Sequence, residues 1–250
     1  MLFKLLKHDF NYSKIQFFTM ILALLLSTVL LRIWLEVGGN AEFIGVIGII
    51  LILLIQLIGT VTSFASIIVI IQNFSKGLFS DHGYLTLTLP VSRSKIVWSK
   101  VLISMFWFNL MMLTSALMAW IITVGQLDDV DIVYFLELFQ VSVFEIISIA
   151  VLNANSMIFL GISILFSIIT LSRCSILGRK IHALFAWILG FIFTIFLIWF
   201  LVWLDGLWSY RIYFNFGMFL NISLLAYQII IAFLIISSII WLVNKKVELR

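Results

Sequence analysis

Six long uncharged apolar stretches run along the chain: Ile15–Leu31, Phe43–Ser75, Val101–Leu127, Ile146–Ser172, Ile181–Leu204 and Phe216–Val243. A helix needs about 20 apolar residues to cross a bilayer, so each stretch predicts one crossing. The first is short, but a snorkelling Arg32 extends it to about Leu35. The second is long enough to tilt or to run past the bilayer on one side. None alternates polar and apolar positions as a transmembrane barrel strand does. No small-residue cleavage site follows the first stretch, so an uncleaved signal anchor is expected there. The predicted fold is an all-α polytopic membrane protein with six transmembrane helices and a single transmembrane domain over residues 1–250.

Composition agrees with this pattern. The 250 residues are 64% hydrophobic and 10% charged, whereas a soluble domain carries about 25% charged residues. One cysteine, Cys174, leaves no internal disulfide and no cysteine-cluster metal site. A net charge of +4 would suggest nucleic acid for a soluble protein. Here the basic residues gather at the ends of the apolar stretches, so they report orientation instead. Lys4, Lys7 and Lys14 precede the first span, and Lys76, Arg93, Lys95 and Lys100 separate the second from the third. Arg173, Arg179 and Lys180 separate the fourth from the fifth, and Lys245, Lys246 and Arg250 follow the sixth. Only Arg32 and Arg211 fall on the opposite side. That side holds Glu36, Glu42, Asp128, Asp129, Asp131, Glu137, Glu145 and Asp205. The positive-inside rule then puts both termini in the cytoplasm, as an even number of spans requires.

Polar residues inside the spans are sparse. Gln56, Thr60, Thr62, Ser63 and Ser66 fall in the second, Asn109 and Thr114 in the third. Asn153, Asn155 and Ser156 fall in the fourth, Asn221 and Gln228 in the sixth. An unpaired amide in hydrocarbon is costly, so each predicts a helix–helix hydrogen bond or the lining of a polar path. Candidates for a substrate path are Gln56, Thr60, Asn109, Glu145, Asn153 and Asn155. Gly45, Gly48 and Gly59 suit close helix packing. No charge occupies the middle of a span, which argues against a proton- or sodium-coupled carrier and against a charged ion filter. The outer loop, residues 128–145, alternates acids with apolar residues. Tyr134, Phe135, Leu138 and Phe139 suit one side of a short interfacial helix. That loop reads either as a solvated outer face or as a gate for a cationic substrate.

Enzymatic signatures are missing. His8, His82 and His182 are scattered, with no HExxH or paired ligand spacing. There is no GxSxG elbow and no GxxxxGK[ST] phosphate loop. No catalytic, metal or cofactor residue is assigned, and the chain is not expected to be an enzyme.

The segment of residues 74–100, FSKGLFSDHGYLTLTLPVSRSKIVWSK, holds the only proline, Pro90. Phe74, Leu78 and Phe79 suit insertion into a partner's groove, with Lys76, Asp81 and His82 at its rim. The alternative is that Phe74 and Leu78 end the second span at the lipid interface. Pro90 separates YLTLTL from the next helix, for which Ser92 is a suitable N-cap. Residues Leu78–Lys100, LFSDHGYLTLTLPVSRSKIVWSK, resemble the link between spans two and three of ABC-2-type ABC transporter permeases, in the compact six-span group of Gram-positive bacteria. MLFKLLKHDF, residues 1–10, resembles the amphipathic start of that family. The motif covers about a tenth of the chain, and the rest matches in span layout only.

The resemblance implies a cytoplasmic interface helix over residues 1–14 and a coupling loop over residues 74–100. It implies that Phe74, Lys76, Leu78, Phe79, Asp81, His82, Gly83 and Tyr84 dock a separate cytoplasmic ABC ATPase subunit, which binds ATP and Mg. It implies a second permease subunit, identical or paralogous, and a multi-pass place in a bacterial cell membrane. The cargo it implies is an exported peptide, antimicrobial or other amphiphilic compound. The family often carries an acid where His82 stands. Competing readings are a secondary carrier and a membrane scaffold or sensor without transport.

Overall fold

A computed structural model describes residues 2–37, 42–79, 91–123, 143–173, 175–176, 179–180, 183–207, 211–213 and 219–246. Its helices are α1 (Leu2–Val37), α2 (Glu42–Phe79), α3 (Arg93–Thr123), α4 (Val143–Arg173), α5 (Ala183–Leu207) and α6 (Ile222–Lys246). All six are long and apolar enough to cross a membrane. In hydrocarbon the backbone must bond within its own segment, and the helix does this. Serine and threonine hydroxyls follow the same rule. Thr28 donates to the Leu24 carbonyl at 2.7 Å, Ser163 to Phe159 at 2.7 Å and Thr170 to Phe166 at 2.7 Å.

Two short hairpins interrupt the all-α pattern. Strand β1 (Ser175–Ile176) pairs antiparallel with β2 (Arg179–Lys180), between α4 and α5. Strand β3 (Arg211–Tyr213) pairs antiparallel with β4 (Phe219–Asn221), between α5 and α6. The second takes residues that the apolar run at Phe216 assigned to the sixth span. Its β-branched and aromatic residues suit a strand, and α6 starts only at Ile222.

Two helix boundaries differ from expectation. Residues 1–14 were expected as a separate interface helix, but α1 runs unbroken for 36 residues, about 54 Å at 1.5 Å per residue. No glycine or proline interrupts Leu2–Val37. Within the segment of residues 74–100, expected as a coupling loop, α2 continues through Phe79, and α3 begins at Arg93, directly after the expected N-cap Ser92. Ser92 stands at the N-cap position, and its carbonyl accepts the Lys95 N–H at 2.9 Å. The connection between the helices is therefore residues 80–92. The outer loop residues Asp131, Tyr134, Phe135, Glu137, Leu138 and Phe139 lie outside the described residues.

Helix α1 packs mainly on α3, and α2 closes on α1. Helix α4 is the hub, touching α2, α3, α5 and α6. Helix α5 leans on α4 and α6 and turns Trp187, Phe191, Phe196, Trp199 and Trp203 outward.

Aromatic stacking organises the core. Trp107 of α3 lies between two rings of α1, with Phe10 at 5.1 Å and Phe17 at 4.5 Å, both nearly parallel to it. Its indole N–H donates to Ser13 Oγ at 2.8 Å. Phe74 of α2 stacks on Phe166 of α4 at 3.8 Å.

Arginines tie helix ends together. Arg93, at the start of α3, donates to the Val243 and Asn244 carbonyls at 2.6 and 3.1 Å. A cation there complements the negative end of the α6 dipole. It also brings the start of α3 and the end of α6 to one end of the bundle, the basic end. At the opposite end, Arg32 of α1 donates to Glu36 Oε1 at 3.0 Å and to the Ile122 carbonyl of α3 at 3.3 Å.

Candidate functional site

At the basic end, three helices converge where the 80–92 segment is rooted. Helix α1 brings Asp9 and Ser13, α2 brings Asn73 and Gly77, and α3 brings Ser99 and Lys100. On α1, Asp9 shares an i, i+4, i+8 stripe with Ser13 and Phe17, and all three are buried. That stripe faces α3, while Lys4, Lys7 and His8 point away and are exposed.

Burying a charge demands a partner. Lys100 Nζ is 2.5 Å from Asp9 Oδ1 and 3.1 Å from Asn73 Oδ1. The second carboxylate oxygen of Asp9 lies 3.1 Å from Ser99 Oγ, which also reaches the Ile96 carbonyl at 2.8 Å. Asp9 is 4% exposed, Lys100 5% and Asn73 6%. His8 Nδ1 is 3.6 Å from Asp9 Oδ1, but its side chain is 81% exposed and adds little at that dielectric. The cluster is a closed ion pair joining three helices. Asp9, Asn73, Ser99 and Lys100 are each bonded to another member of the cluster. Among the described residues, no group of three or more His, Cys, Asp or Glu stands together to hold a metal ion.

Gly77 makes room for the ammonium. A Cβ at that position would lie 2.7 Å from Lys100 Nζ and 2.8 Å from Cε. Gly77→Ala therefore displaces the lysine from Asp9 and Asn73. The expected cost is about 1–3 kcal/mol, as for overpacking a filled core. A lower melting temperature in detergent would register it, and an unchanged one would mean that Lys100 can re-route without loss.

The residues expected to dock a partner divide. Phe74 is 0% exposed and Leu78 1%. Both are used inside this chain, Phe74 against Phe166, so neither offers its side chain to a second protein. Their burial follows from the continuation of α2 past Phe74. Phe79 is partly buried and meets the edge of Phe74 at 6.2 Å. Lys76 is exposed on the last turn of α2. Asp81, His82, Gly83 and Tyr84 lie outside the described residues.

The residues expected to line a path do not converge. Gln56 and Thr60 border an open groove of about 370 Å³ with Gly59, Ser63, Phe64, Ile55 and Met118. Asn109 of α3 donates to Asn155 Oδ1 of α4 at 2.9 Å. Asn153 turns back to the Ile149 carbonyl at 3.1 Å. Glu145 lies in the first turn of α4, where side chains are outside the described residues. For Asn109 and Asn155, helix–helix bonding is what the geometry supports. Ser156 does the same for α4 and α6, donating to Gln228 Oε1 at 2.5 Å.

Sequence reasoning missed Asp9, Asn73 and Gly77, and read Lys100 only as an orientation marker. One signal was present: Asp9 is an acid on the apolar stripe of a basic helix. Its partner lies 91 residues away, and no local pattern announces that.

The chain matches no protein-family model, no curated protein and no solved structure.

Proposed function

We propose that this chain is the membrane-spanning permease subunit of an ATP-driven exporter of the ABC-2 type, moving a peptide, antimicrobial or other amphiphilic compound. The observation that carries this reading is the Leu78–Lys100 motif, joined to a clamped base. The connection between α2 and α3 springs from two helices that Lys100, Asn73 and Asp9 bind to each other and to α1. A push on residues 80–92 would enter the bundle through three helices at once. Six membrane helices and an apolar interior support transport of amphiphilic cargo in general.

On this reading both termini and the 80–92 segment face the cytoplasm of a bacterial cell. A separate ATPase subunit binds ATP and Mg and hydrolyses it, and this chain carries no covalent chemistry. Closure of two ATPases against two permease subunits would switch the membrane halves as rigid bodies. With Phe74 and Leu78 buried, docking rests on Asp81, His82, Gly83 and Tyr84, with exposed Lys76 and Lys95 at their flanks.

Affinity purification from the native membrane tests the proposal. A soluble protein with a phosphate loop should copurify with the chain. Deleting residues 81–84, or combining Lys76→Glu with Lys95→Glu, should lower its recovery several-fold while membrane insertion is unchanged. Unchanged recovery would remove the docking assignment. Transport that persists without any ATPase would instead favour a secondary carrier.

A further inference from the structure

Two exposed stripes run side by side where α1 and α3 meet at the basic end. On α1, Lys7, Lys14 and Phe18 stand at i, i+7 and i+11, and on α3 Lys95, Leu102 and Phe106 repeat that spacing. Those steps are close to two and three helical turns, so each trio shares one face. Phe18 is 52% exposed, Leu102 41% and Phe106 47%. The stripes border one groove. Phe10, three residues after Lys7, meets the Phe106 ring edge-on at 5.9 Å, and Phe18 meets the Trp107 ring at 5.9 Å.

The groove has a charged end and an apolar end. Helices α1 and α3 run parallel with Asp9 level with Lys100, so Lys95 stands within about one turn of Lys7 along the axis. Lys14 is the last charge before the uncharged run of Ile15–Leu31. Helix side chains tilt toward the N-terminus, which carries the Lys14 ammonium back toward Lys7. Lys7 and Lys95 are exposed and Lys14 is half-buried. Among the described residues, none of these three ammonium groups has a hydrogen-bond or ion-pair partner. Asp9 is the only acid among the described residues at this end, and Lys100 already engages it. Away from the basic end each stripe continues in apolar residues, Phe18 after Lys14, and Leu102 and Phe106 after Lys95.

We infer that this groove binds an anionic phospholipid, its phosphate among Lys7, Lys14 and Lys95 and an acyl chain along Phe106 and Phe18. Charge selects the headgroup, since lysines at a membrane surface attract anionic lipids and three cations here lack a counter-charge. The apolar end selects the tail, because a free anion would leave it uncovered. The site does not depend on an ATPase partner.

Native mass spectrometry of the detergent-purified chain tests it, with dioleoyl phosphatidylglycerol and dioleoyl phosphatidylcholine as probes. The chain should retain one phosphatidylglycerol in preference to phosphatidylcholine. Lys7→Gln and Lys14→Gln should each weaken that retention by about fivefold, the effect of one lysine at an anionic lipid surface. Arg173→Gln removes the same charge from the last turn of α4 and should change it little. Inorganic phosphate at the lipid's own concentration should not displace the lipid. Three results would each overturn the site: equal retention of the two lipids, equal effects of Lys14→Gln and Arg173→Gln, or displacement by inorganic phosphate.

Discussion

Replacing Lys100 by methionine is expected to cost about 3–5 kcal/mol of folding stability, because it strands a buried carboxylate. Asp9 is 4% exposed, and its remaining donor would be the Ser99 hydroxyl at 3.1 Å. Asp9→Asn alone should cost a comparable amount, since it leaves the ammonium with only neutral acceptors. The double variant Asp9→Asn, Lys100→Met should cost clearly less than the sum of the two. An apolar or neutral replacement of both partners removes the buried charges that either single change exposes. Detergent-purified protein, unfolded by heat or denaturant, supplies the four corners of the cycle. Additive losses would mean that the pair is not coupled, against a separation of 2.5 Å. The same change should loosen the root of the 80–92 segment, so Lys100→Met should also expose it to protease in membrane vesicles.

Trp107→Ala is expected to rank beside it, at about 3–5 kcal/mol, the range for removing a buried large aromatic side chain. The residue is 1% exposed and fills the space between Phe10 and Phe17. Its loss removes two stacked contacts, worth about 0.5–1.5 kcal/mol each beyond area, and the partner of Ser13 Oγ. Trp107→Phe separates these terms. It keeps a ring in the stack and loses the indole N–H, so about 1 kcal/mol should go with the hydrogen bond. Thermal unfolding of both variants in one detergent checks the order. Equal losses would place the energy in the hydrogen bond and not in the stack.

The six spans were legible because a membrane helix is declared by composition along a line, and no partner is needed to read it. Helix ends were less legible. The resemblance of residues 1–10 to an amphipathic start implied an interface helix over residues 1–14, and nothing there breaks the chain from Leu2 to Val37. Lys4 and Lys7 lie on the exposed side of the same turns that pack on α3 through Asp9, Phe10 and Ser13. Helix α2 runs across Gly77 to Phe79, inside the segment expected as a coupling loop. A single glycine is tolerated in a helix when a close neighbour needs its missing side chain, as Lys100 does here. The pairing of the polar residues within the spans was not legible for a different reason. Polarity inside a span tells that an amide needs a partner but not where that partner is. Asn109 and Asn155 found each other, Asn153 found its own backbone, and Gln56 was left facing outward. Asp9 and Lys100 are a tertiary fact, invisible until α1 and α3 are laid side by side.

Helices α1 and α3 are pinned to each other twice, by Asp9–Lys100 at one end and Arg32–Ile122 at the other. The pins lie 23 residues apart on α1 and 22 on α3, about 34 and 33 Å of helix. Two parallel rods fastened at matched intervals lose their axial sliding freedom. A slip of one turn would undo both fastenings together. Whatever shape change this protein makes, α1 and α3 should contribute to it as a single strut. The rest of the bundle meets that strut through α4, by Asn109–Asn155, and α4 in turn holds α6 by Ser156–Gln228.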